Sequence, residues 1–191
     1  SGNSEEVRYD NSKIIKFDHA LHVKDAGVAC RDCHAGAVNS VSSKDNLNPK
    51  KENCSGCHDV KDEKTCNLCH YEGVYKKLKT NKTELIFSHK QHIESEKKEC
   101  VECHGGLDNV KFSKESKTAF ASMESCYSCH NTQKASNNCE SCHSNLTNLT
   151  PSDHRSPNFL NEHKISQISN GKNNCMMCHS DNLCQACHSP V

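Results

Sequence analysis

Apolar positions never gather into a long run. Nowhere does the chain approach the roughly 20 consecutive apolar residues of a membrane-spanning helix, and the segments between its cysteines are short and loaded with Asn, Ser, Gly and Lys. Such a pattern predicts sparse secondary structure. Short helices are expected around the cysteine pairs and over residues 17–26, 87–97 and 159–168, the last three each opening on Phe. Strands are expected to be few or absent. Residues 71–84, rich in Lys and Thr, and 145–156, rich in Asn, Thr, Ser and Pro, read as loops or linkers. The fold class is mostly irregular with short α-helices and little or no β.

Composition sharpens this picture. Of 191 residues only 33% are hydrophobic and none is Trp, too little for an ordinary side-chain core. Polar, cysteine-rich chains fill their interiors with disulfides, metals or cofactors, and the spacing of the 16 cysteines separates the three. Every cysteine belongs to a Cys-x-x-Cys pair, and every pair is followed directly by His. The first four sites in chain order are Cys30 and Cys33 with His34, Cys54 and Cys57 with His58, Cys66 and Cys69 with His70, then Cys100 and Cys103 with His104. The fifth to eighth are Cys126 and Cys129 with His130, Cys139 and Cys142 with His143, Cys175 and Cys178 with His179, then Cys184 and Cys187 with His188.

Cys-x-x-Cys-His is the attachment signature of a c-type haem: two thiols form thioethers to the porphyrin, and the adjacent imidazole can reach the iron. Eight such positions filled by His by chance, with 14 His in 191 residues, is on the order of one in a billion. Zinc ribbons need four ligands per site and impose no His after each pair. A disulfide scaffold would not need eight copies of one pentapeptide, and a thioredoxin-like redox motif would occur once. The reading is eight covalently bound c-type haems, which themselves supply the apolar interior. Lys plus Arg and Asp plus Glu balance at 24 each, so nothing marks a nucleic-acid partner. Each haem adds about −1 when ferric and about −2 when ferrous; the loaded protein is expected to be distinctly acidic.

The chain repeats itself. Phe17-Asp18-His19-Ala20-Leu21-His22 begins thirteen residues before Cys30, and Phe87-Ser88-His89-Lys90-Gln91-His92 begins thirteen before Cys100. The following sites come at similar intervals, so two three-site units are offset by 70 residues. A shorter unit holds His154, Phe159, His163 and the last two sites. The expected organisation is 1–80, a first trihaem unit; 81–148, a second; and 149–191, a dihaem unit.

The Phe-x-His-x-x-His segment followed by spaced Cys-x-x-Cys-His sites resembles the class III multihaem cytochromes, the small tri- and tetrahaem cytochromes c of anaerobic bacteria. The resemblance covers residues 17–70 and 87–143. It implies that His19 and His89 ligate the next haem in sequence, those of His34 and His104, and that His22 and His92 ligate the following ones, those of His58 and His130. The family also has a His four residues before the middle attachment site, as distal ligand of the third haem; here Lys50 and Ser122 stand there. Maturation outside an energised membrane, common to such cytochromes, implies an exported, periplasmic or extracellular protein. The chain opens Ser-Gly-Asn-Ser-Glu-Glu, which reads as a mature or trimmed N-terminus without its signal peptide.

Eight motif histidines leave His19, His22, His89, His92, His154 and His163 for eight distal positions. Two haems are short of a His. Met, Lys, an amine, water, an open position or another protein must complete them, and Met123 is the best-placed Met, while Met176 and Met177 lie inside an attachment loop. Iron held by two imidazoles offers no substrate site, so the expected role is outer-sphere electron transfer between respiratory redox partners, soluble or membrane-bound. Two forms stay open: a discrete shuttle, or a homopolymer subunit whose terminal haems stack on its neighbours'. The alternative is a reductase of a small oxyanion at an open haem, against which stands the lack of any Cys-x-x-Cys-Lys motif.

Overall fold

The computed structural model describes residues 9–81, 83–146, 149, 154, 156–170, 175, 176, 179 and 181–188, with 165–170 and 181 described by their backbone. The chain forms two compact units, Ser1–Leu146 and Thr147–Val191. The first contains both 70-residue repeats.

Six one-turn helices carry or abut the first six cysteine pairs: α1 (Cys30–Cys33), α2 (Lys51–Cys54), α3 (Cys66–Cys69), α4 (Cys100–Cys103), α5 (Met123–Tyr127) and α6 (Cys139–Cys142). Their recurrence has a local cause. In the first seven motifs the histidine N–H donates to the carbonyl of the first cysteine, at 2.9 Å in His34, His70, His104, His130, His143 and His179 and at 3.0 Å in His58. Cys-x-x-Cys-His is thus one α-helical bond long, which brings the two cysteines, three apart, onto one side of the turn. Side chains close the front of several turns: Asn53 Oδ1 accepts from the Lys50 N–H at 2.9 Å, Asp32 Oδ2 from Ala29 at 3.0 Å, and the Ser122 hydroxyl from Ser125 at 3.2 Å.

The segments predicted as helix over 17–26 and 87–97 do wind, but as π turns, Ala20–Asp25 and Gln91–Ser95. Each turn shares one carbonyl between two donors of one histidine: the ring Nδ1–H of His22 donates to the Asp18 carbonyl at 2.8 Å and its backbone N–H at 3.2 Å, and those of His92 to Ser88 at 2.8 and 3.4 Å. The turns then close five residues on, Ala26 N–H to the Leu21 carbonyl at 2.9 Å and Glu96 N–H to Gln91 at 3.2 Å. In the C-terminal unit α7 (Phe159–Asn170) covers the predicted 159–168 helix, and α8 (Asp181–His188) carries the last cysteine pair, Cys184 and Cys187.

Among the described residues there is no strand, only two antiparallel bridges, Ile15 with His70 and Leu85 with His143. Each clips the leading segment of a repeat onto its third turn, and Lys16 N–H to the Cys69 carbonyl and Ile86 N–H to the Cys142 carbonyl, both 2.7 Å, repeat the contact. The only apolar side chains buried among the described residues are Ile14 and Ala119, and no large side chain is fully buried. Leu21, Leu68 and Val101 are more than half exposed. The interior is therefore not made of side chains.

Candidate cofactor sites

Each motif turn presents two thiols and one imidazole. The fifteen described cysteines are free thiols; Cys178, like Met177, lies outside the described residues. Cys57, Cys126, Cys139, Cys175 and Cys187 are exposed, while the other ten, Cys129 and Cys184 among them, are half-buried. In the fifth turn the Ser128 hydroxyl donates to Cys129 Sγ at 3.8 Å, and Cys129 N–H donates to the Cys126 carbonyl at 3.1 Å. Partial burial pushes the Cys30, Cys33, Cys54, Cys103 and Cys126 thiols above their ordinary range.

The imidazoles are oriented by the backbone. A carbonyl oxygen can only accept, so a ring nitrogen bonded to one must carry the proton, which leaves Nε2 with its lone pair free. Nδ1–H of His34 donates to Leu47 at 2.8 Å, His104 to Ala119 at 2.7 Å, and His130 to Ser136 at 2.8 Å. Among the non-motif rings, His19 donates to Lys111 at 2.8 Å and His163 to Leu160 at 2.7 Å, as do His22 and His92 to the carbonyls named above. Burial holds His34 and His89 below their ordinary pKa, which keeps them neutral as a ligand must be. Gly106, at φ +69°, turns the chain after His104, where a Cβ would meet the Ser116 hydroxyl at 2.8 Å.

The non-motif rings stand opposite the motif rings. Centroids are 6.1 Å apart for His22 and His58, 6.3 Å for His89 and His104, and 6.2 Å for His92 and His130. In the C-terminal unit His154 lies 5.9 Å from His179 and His163 lies 5.7 Å from His188. His19 neighbours His34. An iron held between two such rings, with metal–nitrogen bonds of about 2.0–2.1 Å and roughly 1 Å from nitrogen to ring centre, would fit rings about 6 Å apart. Five of the six non-motif histidines thus stand at this distance from a motif histidine, and His19 lies within electrostatic reach of His34. His70 has the Tyr75 ring beside it at 5.6 Å, and its Nδ1, like that of His89, is buried without a partner among the described atoms.

A phenyl ring fixes each pair of non-motif imidazoles. Phe17 stacks on His22 at 4.5 Å and meets His19 edge-on at 4.8 Å; Phe87 repeats this with His92 at 4.5 Å and His89 at 4.9 Å. Phe159 stacks on His154 at 4.2 Å and lies 6.2 Å from His163. The sequence displays these phenylalanines without saying what they touch. It also leaves open how His154 and His163 are shared between the last two sites. Met123 is about half exposed at the start of α5.

The donor set fits a c-type haem: two thiols on one turn for the thioethers, the following imidazole, and a second imidazole across the gap. Beside Cys57 and His58 a cleft of about 490 Å³ is bounded by residues 55–61. Among the described residues no three His, Cys, Asp or Glu side chains converge as a bare metal ion would require. A family model described as cytochrome c7 and related cytochrome c matches residues 15–71 and again 85–144, more than half of the chain. The chain belongs to this cytochrome c7 family. No curated protein and no solved structure matches it.

The two family matches coincide with the two repeats, each running from just before its Phe to just past its third attachment turn. Membership brings covalently bound c-type haem, multihaem electron transfer and a typically periplasmic setting. When bound, each haem supplies one-electron chemistry between ferric and ferrous iron. The chain supplies the covalent anchors, the oriented imidazoles and the spacing between turns. No helix among the described residues is long and apolar enough to cross a membrane.

Proposed function

We propose that this chain is an octahaem electron carrier of the periplasm or cell exterior, passing electrons between respiratory redox partners as a shuttle or as one subunit of a haem wire. The carrying observation is the set of facing imidazoles beside cysteine turns. On this reading His19 pairs with His34, His22 with His58, His89 with His104, His92 with His130, His154 with His179 and His163 with His188 as axial ligands. Such pairs saturate six irons and leave them to outer-sphere exchange. All 16 cysteines, Cys129, Cys178 and Cys187 included, serve as thioether anchors. Intact mass under denaturing conditions tests the reading: it should exceed that of the bare polypeptide by eight haem masses, since thioethers survive unfolding. A denatured mass equal to the polypeptide alone would end it.

One observation favours a second reading, reduction of a small oxyanion at an open haem. His70 and His143 are the two motif rings for which no non-motif histidine remains. Turnover of nitrite by the reduced protein, abolished by blocking those two sites, would select it over the carrier.

A further inference from the structure

The two repeats of the first unit are not laid end to end. The Ala20 N–H donates to the Val110 carbonyl at 3.0 Å, and the Lys90 N–H donates to the Ser40 carbonyl at 2.8 Å. Both donor and acceptor positions differ by the repeat offset of 70, so one bond is the other with the repeats exchanged. The lysines of two ion pairs are also 70 apart, though their partners are not equivalent: Lys44 reaches Glu84 at 4.0 Å and Lys114 reaches Asp10 at 2.6 Å, each lysine contacting the leading segment of the other repeat. Lys111 lies 3.9 Å from Asp18, and the Ala20–Asp25 turn packs on the short turn Leu107–Asn109. This is an isologous contact, the self-complementary form of a twofold interface, made within one chain.

The segments that meet at this seam are those of the first and fourth attachment turns. His19, beside His34, is held by the Lys111 carbonyl, and Ser88, next to His89, donates its hydroxyl to the Ser40 carbonyl at 3.4 Å. The Cys30 thiol is within electrostatic reach of the Cys100 thiol, and His34 of His104. Outward from the seam the order is the same on both sides. In the first repeat α1 packs on α2, with Asn53 Nδ2 donating to the Asp32 carbonyl at 3.2 Å, and Cys54 neighbours both Cys33 and Cys69. In the second, Cys103 is within electrostatic reach of Cys126 and Cys129, and Cys126 of Cys142.

We propose that the repeats join head to head, so that the attachment sites run in space as third, second, first, fourth, fifth, sixth, with the third and sixth as the two ends of the array. This rests on the haem-carrier reading above and adds its path. Consecutive sites in sequence, the third and fourth, are not neighbours along it. The ends carry His70 and His143, the two rings left without a histidine opposite. Both ends are clipped alike, through Ile15 with His70 and Leu85 with His143. The six-site array of the first unit therefore ends alike on both sides, each end at a site whose coordination differs from the four inner ones.

Zero-length carbodiimide cross-linking of the haem-loaded protein, read by peptide mass spectrometry on the monomer, tests the seam. Head-to-head packing gives Lys114–Asp10, Lys111–Asp18 and Lys44–Glu84 cross-links, and Lys114→Gln removes the first while sparing the other two. Iron positions from anomalous scattering test the order, with the first-site iron nearest the fourth. A monomer cross-linked only within each repeat, or a third-site iron adjacent to the fourth, overturns the proposal. Cross-links at the seam in a chain whose mass shows no haem would instead overturn the carrier reading and leave the head-to-head packing standing.

Discussion

The ring Nδ1–H of His19 donates to the carbonyl oxygen of Lys111 at 2.8 Å, across 92 positions of sequence. Its repeat counterpart, His89, has a buried Nδ1 without such an acceptor. The pseudo-symmetry of the first unit is broken at this atom. A carbonyl acceptor behind a ligating ring raises its basicity and favours the ferric state. A hydrogen bond worth about 1 kcal/mol corresponds to roughly 40 mV for one electron. The first-site haem is expected to titrate below the fourth-site haem by tens of millivolts, as followed by NMR-resolved potentiometry. The reverse order would show that the bond does not reach the iron.

Phe17 should hold two sites together. Its ring stacks on His22 at 4.5 Å and meets His19 edge-on at 4.8 Å, and each such aromatic contact is worth about 0.5–1.5 kcal/mol beyond burial. Phe17→Ala is expected to destabilise the loaded protein by about 1–3 kcal/mol and to broaden the low-spin resonance signals of the first and second sites only. Phe17→Leu, which keeps most of the apolar volume, should do less to stability but still loosen ring orientation. Unchanged thermal unfolding and unchanged spectra in the alanine variant would mean that the rings are positioned by their carbonyl bonds alone.

What the sequence makes legible is what is local. An attachment turn is five residues closed by one hydrogen bond, so its position follows from Cys-x-x-Cys-His, and scarce apolar residues foretell a fold without strands or a side-chain core. The π form of the Ala20–Asp25 turn was not legible, because its closing bond, Ala26 N–H to the Leu21 carbonyl, joins backbone groups that no side-chain pattern marks. The 70-residue frame suggests which turns His19, His22, His89 and His92 face; His154 and His163 have no such frame, and their placement opposite His179 and His188 comes from the folded unit. Least legible is the seam. Its central bonds join backbone groups of Ala20 and Val110, and of Lys90 and Ser40, which leave no trace in side-chain pattern. Lys50 and Ser122, where the related cytochromes have a histidine, occupy the caps of α2 and α5.

The Asp10–Lys114 pair gives the seam a pH dependence. The Lys114 ammonium first, then the Ser12 hydroxyl and N–H, hold the Asp10 carboxyl far below its ordinary 3.8. A carboxylate depressed in the folded state contributes stability above its unfolded pKa, and that contribution is lost as pH falls below about 4 toward the folded value. Both side chains are substantially exposed, so the effect is modest and shrinks with added salt. The expected outcome is that Asp10→Asn lowers unfolding stability slightly at pH 7, with the difference from the parent shrinking progressively as pH falls below about 4. A difference that persists undiminished at about pH 2 would assign it to lost hydrogen bonds rather than charge.

Carbon monoxide counts the irons that no second imidazole closes. Fourteen histidines, eight of them in motifs, leave six for eight sites; five of these face His58, His104, His130, His179 and His188, and His19 lies within electrostatic reach of His34. His70 and His143 remain, at the two ends of the proposed array. If their irons are open or weakly closed by water, the reduced protein binds about two carbon monoxide molecules per chain, and His92→Ala raises this by one because the fifth site loses its facing ring. Two strong non-histidine ligands would instead give no binding in the parent, one in His92→Ala, and resonance features distinct from two-imidazole iron. Both outcomes keep the count. Eight low-spin irons each held by two imidazoles, in a homogeneous isolated sample, would break it, because identical chains that lend histidines to one another gain none. A His92→Ala protein indistinguishable from the parent in both titration and spectrum would remove His92 from the fifth site.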